Sequence, residues 1–134
     1  MHKSGFFRRV AGVSPDGTLT MMGVREFAEA RVERERELSR SPIGERVAGY
    51  YRLGQTAEAI GLVHTAVELY RRSVDIALKA DCKGNRFRYV AEAERAASAA
   101  DGLLRSVGMS ELATLRRYVR EVYDAIRGDR YDIS

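Results

Sequence analysis

Basic side chains cluster at the start of a predicted helix, where they could bind phosphate. The segment Lys-Gly-Asn-Arg-Phe-Arg-Tyr supplies three cations and two aromatic rings: Lys83, Arg86, Arg88, Phe87 and Tyr89. Backbone N–H groups at a helix N-terminus bind anions, and a guanidinium group can donate two parallel hydrogen bonds to one phosphate. We therefore expect the three cations to bind nucleic acid while the rings stack on unpaired bases. The alternative is that the rings pack on the end of a helical bundle and the cations are solvated.

A second group of candidate contact residues lies near the start of the chain. Residues 1–20 predict an extended basic arm, because a Ser-Pro-Asp-Gly turn signal precedes the first helical pattern. Within it, Arg8 and Arg9 are expected to bind nucleic acid, and Phe6 and Phe7 to contact a partner subunit. The alternative is a free terminus.

Residues that could carry catalysis or hold a metal are few. Cys82 stands alone, which excludes an internal disulfide and a cysteine-based zinc site. His64 precedes Glu68 by one helical turn, but the only other histidine is His2. There is no glycine-rich phosphate loop and no Ser/His/Asp arrangement. We therefore expect no catalytic residues, no metal, no cofactor and no enzymatic activity.

The composition favours an acidic partner. The 134 residues carry a net charge of +4, and 20 of the 23 basic residues are Arg. Arg is suited to forked contacts with phosphate and carboxylate, although a GC-rich genome would enrich Arg in the same way. No apolar run reaches the ~20 residues of a membrane span, and no signal peptide is evident. We expect an intracellular protein, or a virion protein if it coats a genome.

Helical periodicity dominates the chain after the arm. The predicted helices cover 21–40, 42–53, 57–80, 86–107 and 111–128. We expect Gly54 to weaken or bend the path between the second and third helices: it lies in a turn with positive φ if they form a hairpin, and within a helix if they are continuous. Gly84 should end the third helix, and Asn85 should cap the fourth. Gly108 should end the fourth, and Ser110 should cap the fifth.

The apolar stripes indicate how these helices pack. The third helix has two adjacent stripes and should be the most buried. The fourth and fifth have seams spaced by three and four residues, which include Val107 and Leu112 at their ends. The expected fold is an all-α bundle of about four to five helices, in a single domain. Its parts are the arm over 1–20, a charged appended helix over 21–40, and the bundle over 41–134.

One stretch resembles a tetratricopeptide repeat, over about residues 43–70. The residues that carry the likeness are Tyr50, Tyr51, Gly54, Ala59 and Ala66. Thr56 and Arg71 depart from the family pattern, and no second repeat follows at the right spacing. The resemblance implies a helical hairpin that binds a protein or peptide.

The overall layout is loosely similar to coat proteins of rod-shaped and filamentous archaeal viruses, which also join a basic arm to a helical bundle. Two functions therefore remain open. The first is a non-enzymatic assembly protein that forms a homo-oligomer or helical assembly and binds nucleic acid through Arg, as a nucleocapsid or coat subunit does. The second is a tetratricopeptide-like adaptor that binds a protein or peptide.

Overall fold

The computed structural model describes residues 21–132, which form five α-helices and one short 3-10 helix. In chain order these are α1 (Met21–Leu38), α2 (Ile43–Ala59), α3 (Val63–Gly84), α4 (Val90–Ser106), the 3-10 helix Ser110–Leu112, and α5 (Leu115–Asp132). No strand occurs in this range, so the predicted all-α helical bundle is confirmed. The expected extended arm, residues 1–20, lies outside the described residues.

The central element of the bundle is α3, which packs against both α2 and α4. Its two apolar stripes give it a wide buried face, as the sequence predicts. The apolar residues of α3 that are buried are Ala66, Val67, Leu69, Tyr70, Val74, Ala77 and Leu78. α5 packs on α4 and also contacts α3, so the last three helices share one core.

The seam of α4 consists of small residues at its centre. Ala93, Ala97 and Ala100 are fully buried, and their short side chains allow α4 to approach its neighbours closely. The seam ends earlier than predicted: Val107 follows the last residue of α4 and is 45% exposed. Leu112 at the start of the next seam is also 45% exposed, which contradicts the predicted packing.

The α2–α3 hairpin does not turn at Gly54, and that prediction is wrong. α2 continues through Gly54 to Ala59, and the turn lies at Gly61, which has φ +85°. Gly54 instead lies buried against the ring of Tyr70 in α3, where a methyl group would come within 2.6 Å of a ring carbon. A glycine is therefore required at position 54 for close helix contact rather than for backbone conformation.

The α3–α4 connection also differs from the expected capping pattern. Asn85 adopts the left-handed conformation (φ 52°) and ends α3, so it is the C-cap of α3 and not the N-cap of α4. α4 begins later than expected, at Val90. Between them lies a short connection that holds Arg86 and Arg88.

A buried carboxylate takes the capping role that the sequence analysis assigned to Ser110. Asp101 in α4 is 1% exposed, and its two oxygens accept hydrogen bonds from the backbone N–H groups of Leu115 and Arg116, at 3.1 and 3.0 Å. Ser110 begins the 3-10 helix instead. Because the N-terminus of a helix carries partial positive charge, these bonds offset the cost of burying Asp101 and fix where α5 begins.

Half of the residues of α1 are charged, and the helix still contributes to the common core. Phe27 and Leu38 are 2% and 1% exposed and belong to the same buried cluster as the residues of α3. Its exposed face carries i,i+3 pairs between Arg34 and Glu37 and between Glu33 and Arg36. Both pairs lie within α1 and are exposed, so they contribute little to stability and do not join α1 to the bundle, whereas the burial of Phe27 and Leu38 does.

Candidate nucleic-acid interface

The predicted cations of the α3–α4 connection lie together on the surface. Lys83, Arg86 and Arg88 are all exposed, and we call them the basic turn. None of the three has a carboxylate partner among the residues that the structure describes. The other predicted contact residues, Phe6, Phe7, Arg8 and Arg9, lie outside that range.

A buried aspartate beneath the basic turn determines its backbone path. Asp81, 1% exposed, accepts hydrogen bonds from the backbone N–H groups of Arg88 (3.2 Å) and Tyr89 (2.9 Å) and from the Tyr123 hydroxyl. The backbone N–H groups of Arg88 and Tyr89, which were expected to face a phosphate, therefore donate hydrogen bonds to a carboxylate of the protein itself. What the basic turn can offer a polyanion is the charge and the hydrogen bonds of its side chains.

The hydroxyl of Tyr123 is held as a proton donor in this arrangement. Burial raises the pKa of Tyr123, and the hydrogen bond to Asp81 raises it further, because both favour the neutral phenol. The tyrosine therefore stays protonated well above pH 10 and keeps Asp81 satisfied. Neither Asp81 nor Tyr123 was predicted as a functional residue, since neither their type nor their spacing distinguishes them from ordinary helix positions.

The two aromatic rings beside the basic turn face the protein. Phe87 and Tyr89 are half-buried and pack against the core, with the rings of Phe87 and Tyr123 centred 6.1 Å apart. The guanidinium of Arg127 covers the Phe87 ring at 5.3 Å from its centroid. This arrangement corresponds to the packing alternative.

A network that joins α1, α2 and α3 is a second feature that the sequence analysis did not find. Arg31 donates to Glu35 on its own helix and to Glu68 on α3, both at 2.8 Å. Glu35 also accepts a hydrogen bond from the Tyr50 hydroxyl of α2 at 2.8 Å. Burial raises the pKa of Tyr50, and the bond to Glu35 adds to that rise.

An open groove of about 510 Å³ runs along α3 beside this network. Its apolar lining comes from Leu69, Val74 and Leu78 of α3 and from Leu115 of α5. We call it the α3 groove. Its remaining lining is polar or aromatic and is supplied by Arg31, Glu35, Tyr50, Glu68, Arg71, Arg72, Asp75 and Tyr118.

The groups considered for catalysis are dispersed. His64 is exposed, and Glu68, one turn further on, pairs with Arg31. Cys82 is exposed, at the end of α3. Within the described residues, no three His, Cys, Asp or Glu side chains lie close enough together to hold a metal ion. In the same range no helix is both long enough and apolar enough to cross a membrane.

Comparison of the chain with protein-family models, with curated proteins and with solved structures found no match. The resemblances to a tetratricopeptide repeat and to viral coat proteins therefore stay predictions.

Proposed function

We propose that this protein is a non-enzymatic assembly protein that binds nucleic acid through the basic turn. The observation that carries the proposal is that Lys83 in the last turn of α3 and Arg86 and Arg88 in the connection that follows are exposed without carboxylate partners in the described range. In α1, by contrast, most basic residues pair with a glutamate. A polyanion therefore gains contacts at the basic turn without first breaking internal ion pairs.

Binding of this kind would follow the phosphate backbone and not the bases. Phe87 and Tyr89 pack against the core, and the cations Lys83, Arg86 and Arg88 are exposed. Phosphate contacts position a protein on nucleic acid but carry no sequence information. We therefore expect little preference between unrelated sequences. In this proposal Arg8 and Arg9 add further phosphate contacts.

Self-association is the second part of the proposal. Val107 and Leu112, each 45% exposed, leave apolar surface at the α4–α5 connection, where a second copy of the chain could pack. A homo-oligomer would bring several basic turns to one nucleic-acid strand, which raises the apparent affinity without new contacts. Mass measurement by light scattering, after nucleic acid is removed, tests this part by itself; a monomer at all concentrations would contradict it.

The nucleic-acid part is tested by the dependence of affinity on salt. Labelled 30-nucleotide single strands and duplexes of two unrelated sequences are titrated, with fluorescence anisotropy as the readout, at several salt concentrations. We expect the triple change Lys83→Ala, Arg86→Ala and Arg88→Ala to lower the slope of log affinity against log salt by roughly three units, since each lost phosphate contact removes about one.

A matched control removes the same charge elsewhere. Arg25, Arg52 and Arg105 are exposed and have no carboxylate partner in the described range, so their triple change to alanine also lowers the net charge by three. We expect this control to keep most of the wild-type slope. Equal losses in the two triple variants would show that net charge and not the basic turn drives binding. Absence of binding at low salt would reject the nucleic-acid function.

A further inference from the structure

α1 is attached to the bundle by a face on which two charged residues lie between two apolar ones. That face consists of Phe27, Arg31, Glu35 and Leu38, whose spacing places them on one side of a helix. We propose that α1 is a hinged strap, which opens from the bundle as a unit while the other helices stay folded, and whose opening is favoured by salt. The proposal does not depend on nucleic-acid binding or on self-association.

α1 buries few of its residues. Among those whose exposure the structure describes, only Gly23, Phe27 and Leu38 are buried. α2, a helix of similar length, buries seven residues, and α3 buries nine. Apolar burial is the main source of the free energy that keeps a helix in place, so we expect α1 to open at a lower free energy than α2 and α3.

α5 buries similarly few apolar residues in its described part, but buried polar contacts fix it as well. The carboxylate of Asp101 accepts hydrogen bonds from two backbone N–H groups in the first turn of α5. The carboxylate of Asp81 accepts another from the Tyr123 hydroxyl. Because both aspartates are 1% exposed, solvent does not compete for these bonds.

The polar contacts of α1, by contrast, are accessible to water. Arg31 donates to Glu68 of α3 at 2.8 Å, and Glu35 accepts from the Tyr50 hydroxyl of α2 at 2.8 Å. The side chains of Arg31 and Glu35 are 27% and 33% exposed, and that of Glu68 is 67% exposed. Salt screens an ion pair that solvent reaches, so a higher ionic strength should weaken the attachment of α1.

Opening of α1 would change the surface around the α3 groove. Arg31 and Glu35 form the part of the groove wall that α1 contributes, so the groove loses this wall when α1 leaves. Tyr50 and Glu68 lose their partners in the same step. Residues 39–42, which connect α1 to α2 and belong to neither helix, would be the hinge. α1 therefore controls how much of the surface of α2 and α3 is open to solvent.

Native-state hydrogen exchange of the full-length protein, followed for each amide by NMR, tests the opening. We expect the amides of α1 to be at least about tenfold less protected than the slowest amides of α3. Their protection should also depend less on added urea, since opening of α1 alone exposes less surface than global unfolding. Equal protection and equal urea dependence in α1 and α3 would show a single cooperative unit and overturn the proposal.

Two substitutions test the charged contacts. Arg31→Ala should lower the protection of α1 by about fivefold, and Glu68→Gln, which leaves the sequence of α1 unchanged, by about threefold. The matched controls are Arg34→Ala, whose partner Glu37 lies on α1 itself, and Glu121→Gln, an exposed glutamate of α5. The controls should change the protection of α1 by less than about twofold. A control with the same effect as its matched variant would contradict the role of the Arg31 contacts.

Salt dependence separates the charged contacts from apolar packing. Between about 0.05 and about 0.5 M NaCl, the protection of α1 should fall about threefold in the wild type and in Arg34→Ala, after correction for the exchange rate of an unfolded peptide. In Arg31→Ala the fall should be less than about 1.5-fold. Circular dichroism verifies that each variant is folded; if Arg31→Ala loses helicity, Glu68→Gln decides the outcome. An undiminished salt dependence in a folded Arg31→Ala would reject the proposal.

Discussion

Replacement of Gly54 by alanine tests the close contact between α2 and α3. The added methyl group would lie 2.6 and 2.7 Å from two carbon atoms of the Tyr70 ring, and real Cβ atoms essentially never come this near. The ring cannot easily move away. Tyr70 is 1% exposed, its hydroxyl donates to Glu58 at 2.7 Å, and its ring lies 5.5 Å from that of Tyr51. The two helices must therefore separate slightly, or the hydroxyl must give up Glu58.

Two opposing effects determine the size of the change. Alanine is favoured over glycine within a helix by about 1 kcal/mol. Overpacking of a well-filled core costs about 1–3 kcal/mol. The net expectation is a loss of about 1 kcal/mol, and up to about 2 kcal/mol if Tyr70 loses its hydrogen bond. For a domain of this size, 1 kcal/mol corresponds to a fall in Tm of about 4 °C.

The assay is thermal and urea unfolding followed by circular dichroism, with Gly102→Ala as the matched control. Gly102 also lies inside a helix, but a methyl group there would meet no atom within 4 Å. The control should therefore gain about 1 kcal/mol from helix propensity alone. If Gly54→Ala were as stabilising as Gly102→Ala, the contact between Gly54 and Tyr70 would not exist in solution.

Two further predictions concern the buried carboxylates. Asp101→Ala should lower the free energy of unfolding by about 0.5–2 kcal/mol, the usual loss for an N-terminal cap. It should also speed amide hydrogen exchange at Leu115 and Arg116 more than in α2, because these two N–H groups lose their acceptor. Equal acceleration in all helices would contradict the capping role. Stability should also fall above pH 10. Burial raises the pKa of Tyr123 above its ordinary 10.0, and the hydrogen bond to Asp81 raises it further. Above pH 10 the folded state therefore keeps a proton that the unfolded state releases. The contribution of Tyr123 to the free energy of unfolding is complete below pH 10 and declines above it by about 1.4 kcal/mol per pH unit. Tyr123→Phe should reduce the loss of thermal stability above pH 10 by that amount. An unchanged dependence of Tm on pH would refute the role assigned to Tyr123.

Local periodicity was sufficient to predict the class of the fold. A helix repeats every 3.6 residues, so apolar side chains three and four positions apart reveal both its presence and its buried face. For this reason the sequence predicted an all-α bundle and the central position of α3. The end of α4 at Gly108 was also predicted, because a glycine with positive φ is a common helix terminator.

The position of the α2–α3 turn was not predictable in the same way. Gly54 and Gly61 are both glycines beside helical patterns, and local propensity treats them alike. Only the packing of Tyr70 shows that Gly54 is needed for close contact, whereas Gly61 supplies the positive φ of the turn.

The candidate sites, too, were predictable from sequence only in part. That Lys83, Arg86 and Arg88 would be exposed followed from sequence, since charged residues without a partner are rarely buried. That Asp81 would use the N–H groups of Arg88 and Tyr89 did not follow, because a buried carboxylate is stabilised by donors that reach it only when the chain has folded. The α3 groove is likewise a product of tertiary structure: Arg71 on α3 and Tyr118 on α5 are 47 positions apart, and the packing of their helices brings them to one surface.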